Sequence, residues 1–558
     1  MPKAFPDLVG LPIKTGIEKR NGVPIFLAIP VRVGCDGQRL RFDDMIGVPI
    51  GVRLRMRPAS AWHIRVWWEW SRHRSFCSFG KSLEKQTFKP HMTTSPAHRP
   101  LVILNAVGMS RRLLAHAPRL SALAKAGWVK GLEEVIPAVT CTAQATMLTG
   151  KLPQEHGVVG NGWFHRDTGE VRFWQQSRNL IQAPTFYDVL KERFQSRGQN
   201  FRAAKLFWWF NQGADVAYSV TPKPHYAADG NKAFGILGSP DGLTENLEAI
   251  LGPFPFHNFW GPKAGLPATT WISMATSQVL GEQLPDLTLA YLPHLDYEPQ
   301  RHGPSGCDMA KLVLELDTAT TPVLEAAKRV GADVWVVSEY GHCDVSRPVA
   351  INRELRRAGW LNARSGPFGE VFNPLDSQAF AVVDHQLAHI VVRDRSVLSA
   401  VADRVAQIDG VAKVMIGEER ESIGLNHPRS GEIIALSDPD AHFIYPFWLD
   451  DREAPDYART VDIHRKPGYD ACELFFDPAL KYPMLKMARK LIRKKLGFRT
   501  LFDVIPLEAS LVKGSHGLAS ADPLDQPFFI GTGPEPFEGA EGPMGSVFNS
   551  VLKHFGEA

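Results

Sequence analysis

A chain of 558 residues, with 44% hydrophobic and 22% charged residues, can bury a sizeable core in one elaborated α/β domain or in more than one. A net charge of +4 over that length gives no ground for nucleic acid as an obligatory partner, and no run of about eighteen apolar residues is present to span a membrane. The cysteines (35, 77, 141, 307, 343 and 472) are scattered without a CxxC pair, which excludes a disulfide framework or a thiolate zinc site. With no secretory signal pattern at Met1 or Met92, these features predict a soluble, cytoplasmic protein.

Residues 1–91 have no sustained helical or strand period and mix Arg and Trp, as in Arg65-Val-Trp-Trp-Glu-Trp-Ser-Arg-His-Arg74. Such a stretch is either a basic, aromatic arm or a low-order extension ahead of a true start at Met92, and the second reading is preferred. From Pro100 the pattern changes. The apolar run Leu101–Leu104 reads as a buried parallel strand ending at Asn105-Ala-Val-Gly108. A helix is expected from Cys141 to Leu148, another from Thr185 to Phe194, and a strand at Ala203–Phe207. Residues 208–270, rich in Trp, Phe, Pro, Gly and His, read as an insertion or lid outside the central sheet.

Strands at Leu287–Leu292 and Val334–Val337, with a helix between them, predict a doubly wound α/β core. Such a core gathers polar residues at the carboxyl ends of its strands: Asn105, His294 and Asp296, then Glu339, Tyr340 and His342. Residues 378–447 read as an inserted β-α-β subdomain. Residues 459–470 form a polar loop containing His464, and 486–499 form a basic amphipathic helix. That helix either has a solvated basic face, the preferred reading, or makes a peripheral membrane contact. A last strand at Pro527–Ile530 follows Gly514-Ser-His516-Gly, and 541–558 is left as a C-terminal tail.

One stretch carries the functional argument. Pro137-Ala-Val-Thr140 leads into the 141–148 helix, so the Thr140 hydroxyl sits at a helix N-terminus, where free N–H groups favour an anion. A plain N-cap is the competing role for Thr140. A turn-rich segment follows, with Thr149-Gly150, Pro153, His156-Gly157 and Gly160-Asn161. Asp296 lies eight residues before Pro304; Ser338-Glu-Tyr-Gly-His342 and Ser515-His516-Gly517 complete the series. There is no Walker-type loop and no GxSxG.

In the order and spacing of these motifs, residues 92–540 resemble the alkaline-phosphatase superfamily, in its type I phosphodiesterase/nucleotide pyrophosphatase branch. The resemblance implies an alkaline-phosphatase-like fold: a mostly parallel sheet flanked by helices, with inserted cap segments. It also implies Thr140 as nucleophile and one or two divalent ions, usually zinc. Carried over position by position, one ion would be held by Asp296, Gln300 and His516. The other would be held by Val107, Thr140, Glu339 and Tyr340, departures that leave Asn105 as a substitute for the valine. His302, His342, His294, Asp384, His385 and His464 are further side chains that could compensate. Asn161 and His464 are the substrate-binding candidates.

The implied activity is metal-dependent hydrolysis of a phosphodiester, pyrophosphate or phosphonate bond in a small anionic molecule, its organic part shaped by 208–270. The alternatives are an inactive relative that binds an anionic metabolite in a biosynthetic assembly, and a mutase or transferase.

Overall fold

The computed structural model describes residues 98–228, 232–498 and 500–557, together with a short antiparallel pair, Val52–Leu54 with Ile64–Val66. Apart from that pair, the expected low-order extension 1–91 lies outside the described residues. The rest of the chain, Thr93–Ala558, forms a compact unit of its own.

The apolar run after Pro100 becomes the strand Leu101–Ala106 at the middle of a nine-stranded sheet. Across the sheet the strands run Glu541–Pro543, Trp128–Glu133, Phe528–Gly531, Asp333–Val337, Leu101–Ala106, Leu287–Leu292, Ala203–Leu206, Tyr218–Tyr226 and Lys232–Ser239. Strands from Asp333–Val337 to Tyr218–Tyr226 are parallel; Phe528–Gly531 is antiparallel to both its neighbours. The central strands are buried throughout and mostly apolar, as strands covered on both faces are. Val102, Leu104 and Ala106 enter one core with Ile272, Ala275 and Leu316 of the helices Leu266–Gln283 and Met309–Ala319. Leu101 and Ile103 point the other way, into a core with Met147, Leu190 and Val551. Those residues belong to the helices Thr140–Thr149, Phe186–Ser196 and Ser546–His554. Each such leucine, fully buried, is worth about 1.5–3 kcal/mol, so the strand tips that carry the site stand on a stiff base.

Two expectations are corrected. Residues 208–270 are not outside the sheet: Tyr218–Tyr226 and Lys232–Ser239 form a hairpin that extends its edge. Pro222 and Pro224 hid the strand pattern. They lie beyond the three residues, 218–220, that pair with the Ala203–Leu206 strand, and they share one parity, so a single unpaired side of the strand takes both missing donors. Nor is 541–558 a tail. Glu541–Pro543 is the opposite edge strand, and Val547, Val551 and Leu552 bury one face of the final helix.

Residues 379–437 build a separate four-stranded antiparallel sheet with the helix Leu398–Ala406 and its own core, including Phe380, Val382, Ile390 and Val405. Its first hairpin turns in two residues, His385 and Gln386, between strands ending at Asp384 and starting at Leu387. His385 takes φ +60°, the left-handed conformation such a tight turn requires. Among the described residues, no helix is long and apolar enough to cross a membrane.

Candidate active site

The carboxyl ends of three adjacent parallel strands converge: Asn105 from Leu101–Ala106, Asp296 just after Leu287–Leu292, and Glu339, Tyr340 and His342 just after Asp333–Val337. Thr140 opens the helix Thr140–Thr149, which is buried along its whole length and stopped by Gly150 in the left-handed region. Val139, not Thr140, occupies the N-cap position, and no side chain caps this helix end. The Thr140 hydroxyl instead lies 2.9 Å from the Tyr340 hydroxyl. Tyr340 donates in turn to Asp296 Oδ1 at 3.2 Å.

Around Asp296 the geometry is open to a ligand. His342 Nε2 lies 3.3 Å from Asp296 Oδ1 and His516 Nε2 lies 3.8 Å from it. His516 donates from Nδ1 to the Ala138 carbonyl at 2.8 Å, which fixes its tautomer and leaves Nε2 as a lone pair. That Nε2 is buried and has no hydrogen-bond partner. The ring is clamped by Tyr340, stacked with a centroid distance of 3.7 Å, and by His385 at 3.7 Å. Burial pushes its pKa down to about 3, so it is the neutral, ligating form. The ligand atoms of Asp296, His342 and His516 all lie within 4.8 Å of one another, and this is the grouping of its kind among the described residues. One carboxylate and two imidazoles, with an orphaned lone pair, fit one divalent ion. Gly108, at φ +73°, makes room for the His342 ring: a Cβ there would stand 2.9 Å from it.

The residues mapped to the second ion do not fit one. Val107 is buried and has no donor atom. Asn105 turns its amide nitrogen toward Glu339 Oε1, and Gln144 donates to the same oxygen at 2.7 Å. Gln144 is itself held by the Trp209 N–H at 2.7 Å. Burial lifts the Glu339 carboxyl to about 8, and its Oε2 and the Asn105 Oδ1 are buried without a partner. Gln300 is also spoken for. Its amide nitrogen donates to Asp296 Oδ1 at 3.0 Å and to the Asp296 carbonyl at 2.8 Å, while its oxygen accepts from Tyr469.

Asn161 braces the helix that Thr140 opens: its Oδ1 accepts from the Cys141 N–H at 3.0 Å, and its Nδ2 donates to Asp384 Oδ1 at 3.1 Å. Asp384 also accepts from the Asn161 N–H at 2.6 Å, and burial lifts its carboxyl to about 7. His464 is placed apart, against the Phe173 carbonyl at 3.3 Å. In the same polar loop, Lys466 is buried and paired at 2.7 Å with both Asp470 and Glu473, a structural ion triad. His302 pairs with Glu298 and His294 with Glu315, away from Asp296. His342, the last residue of the Ser338–His342 motif, and His385 enter the site from among the side chains that could compensate. Gln144 and Tyr469 were not singled out in the sequence, and the one signal between them is that Gln144 lies four residues after Thr140 and so on the same helix face.

A parallel sheet with a helix-end threonine and a carboxylate–imidazole cluster at its strand tips defines a protein of the alkaline-phosphatase-like fold. The model of the type I phosphodiesterase/nucleotide pyrophosphatase family matches residues 101–470, more than half of the chain, and the chain belongs to that family of hydrolases. Among curated proteins, an uncharacterized pyrophosphatase/phosphodiesterase of Schizosaccharomyces pombe is 23% identical over 231 residues, 40% of this chain. That stretch spans 39% of the relative's own length. Among solved structures, phosphonoacetate hydrolase from Sinorhizobium meliloti in complex with phosphonoformate is 16% identical. The match covers 83% of this chain and 96% of that one, with a TM-score of 0.51. An inactive form of murine ectonucleotide pyrophosphatase/phosphodiesterase 5 in complex with AMP is 14% identical, covering 82% and 96%, with a TM-score of 0.50. At these identities the structural likeness speaks for the fold.

Proposed function

We propose that this chain hydrolyses a phosphodiester, pyrophosphate or phosphonate bond of a small organic anion, with Thr140 as nucleophile and one divalent ion, zinc by ligand type, rather than two. The observation that carries the reading is the Thr140 hydroxyl held 2.9 Å from Tyr340, beside a carboxylate–imidazole cluster with an unpartnered nitrogen.

A threonine hydroxyl is a weak nucleophile until its proton has somewhere to go. Here the path runs from Thr140 Oγ1 to the Tyr340 oxygen and from Tyr340 to Asp296 Oδ1, over 2.9 and 3.2 Å. Asp296, His342 and His516 would hold the ion, which supplies positive charge against the oxygens of the transferring group. Attack by Thr140 on phosphorus forms the Thr140 O–P ester and breaks the scissile bond, and the leaving group departs and takes a proton from solvent. Water then breaks the Thr140 O–P bond and gives one proton to solvent, while the proton held at Asp296 returns to Thr140 along the same path. The half-buried Trp174 and Trp260 flank Tyr469, with ring centroids 6.3 and 6.1 Å away, and would receive the organic part of the substrate.

Purified protein supplied with zinc, manganese or magnesium should turn over at least one member of a panel of phosphodiesters, nucleotides and phosphonates, and Thr140→Ala should not. Equal behaviour of the two proteins would sink the proposal. The second reading, an anion-binding relative without turnover, is favoured by one feature, the buried Val107, which has no donor atom where the family places a metal ligand. Substrate binding with no turnover by the metal-loaded protein would decide for it.

A further inference from the structure

The helix Pro483–Lys495 is turned inside out. From Lys481 to Phe498 the chain carries Lys481, Lys486, Arg489, Lys490, Arg493, Lys494 and Lys495, with no Asp or Glu. A soluble helix ordinarily lays its apolar stripe on the core and turns its cations to water. Here three lysines face the protein. Lys486 and Lys490 reach Asp503, and Lys494 donates to the Lys232 carbonyl at 3.2 Å. The aliphatic stripe faces solvent: Leu485 is 68% exposed, Ile492 59% and Leu496 68%. At 100° per residue these three fall within a narrow arc. Arg489 and Arg493 border that arc on one side, and Lys495 borders it on the other.

We infer that this helix docks the protein on the surface of an anionic lipid bilayer. An apolar stripe bordered by cations suits the plane between acyl chains and headgroups, and the absence of acidic residues on the segment matches a surface of one sign. The inward lysines fix the roll of the helix, so the stripe is presented outward without any rearrangement. Tyr482 and Phe498, both exposed just beyond the helix ends, add the aromatic anchors such an interface favours.

The test is co-sedimentation of the full chain with vesicles of phosphatidylcholine, with and without phosphatidylglycerol. Retention is expected on the mixed vesicles alone and should weaken as salt rises. Leu485→Ser with Ile492→Ser should lower that retention by about tenfold or more. Arg489→Glu with Arg493→Glu should lower it by roughly fivefold or more for each cation. Both double variants should keep the wild-type turnover of a soluble substrate, since neither touches the site. The inference is overturned if the mixed vesicles retain no protein or if both double variants bind like wild type. A lipid-free dimer that Leu485→Ser with Ile492→Ser dissolves would equally overturn it, by assigning the stripe to a second copy of the chain.

Discussion

The two sides of the Thr140 pocket are built from the same kinds of residue and do opposite things. On one side Asp296, His342 and His516 bring three ligand atoms within 4.8 Å and leave a buried imidazole nitrogen without a partner. On the other, Glu339 accepts from Asn105 and Gln144 on one oxygen, its second oxygen is buried without a partner, and Val107 offers no donor atom beside it. A buried lone pair left unpaired costs stability unless something occupies it. The Glu339 side has a single carboxylate and gathers no cluster of carboxylate and imidazole ligands among the described residues. The difference shows that family position alone does not make a ligand; the donors around each side chain decide it.

The comparison breaks most visibly at Thr140. Thr140→Ala should cut turnover by about a thousandfold or more while leaving bound metal unchanged, measured by steady-state kinetics with elemental analysis. Tyr340→Phe should come next. It removes the link between Thr140 and Asp296, and kcat should fall by about a hundredfold, with KM and metal content little changed.

Glu339→Gln is the smallest effect and the sharpest contrast. Turnover and metal content should stay within about threefold of wild type, because the amide can still accept from Asn105 and Gln144. Its signature is in stability. The Glu339 pKa rises on folding from 4.5 to about 8, so its contribution is full below about pH 4.5 and is lost as pH rises through about 8. Wild type should therefore lose unfolding free energy on the order of a few kcal/mol between pH 5 and pH 9, and Glu339→Gln should lose less. Denaturant melts at the two pH values check this; parallel curves for the two proteins would remove Glu339 from the account.

Much of the fold was legible because its signals are local. The continuous apolar runs at 101–104, 287–292 and 334–337 became the central strands, and their polar tips converge as a parallel sheet requires. The helix after Pro137 was legible from its small residues and its Gly150 stop. The edge strands were not. Tyr218–Tyr226 carries two prolines that break the pattern, and only its pairing with Ala203–Leu206 and Lys232–Ser239 shows it as sheet. His342 was visible at a strand tip, but as one of several histidines that could compensate. What selects it is long-range: Leu101–Ala106 and Asp333–Val337 are neighbours, and Gly108 leaves space for the ring. His385 is delivered by another sheet, through a tight turn whose strain no local pattern announces.

The central claim is that one side of this pocket holds a divalent ion and the other does not. Elemental analysis of metal-loaded, desalted protein tests it most directly, with His342→Ala measured beside wild type. One ion per wild-type chain, lost in His342→Ala together with about a hundredfold of turnover, is the predicted result. Two ions per chain, or one ion that His342→Ala retains, would contradict it.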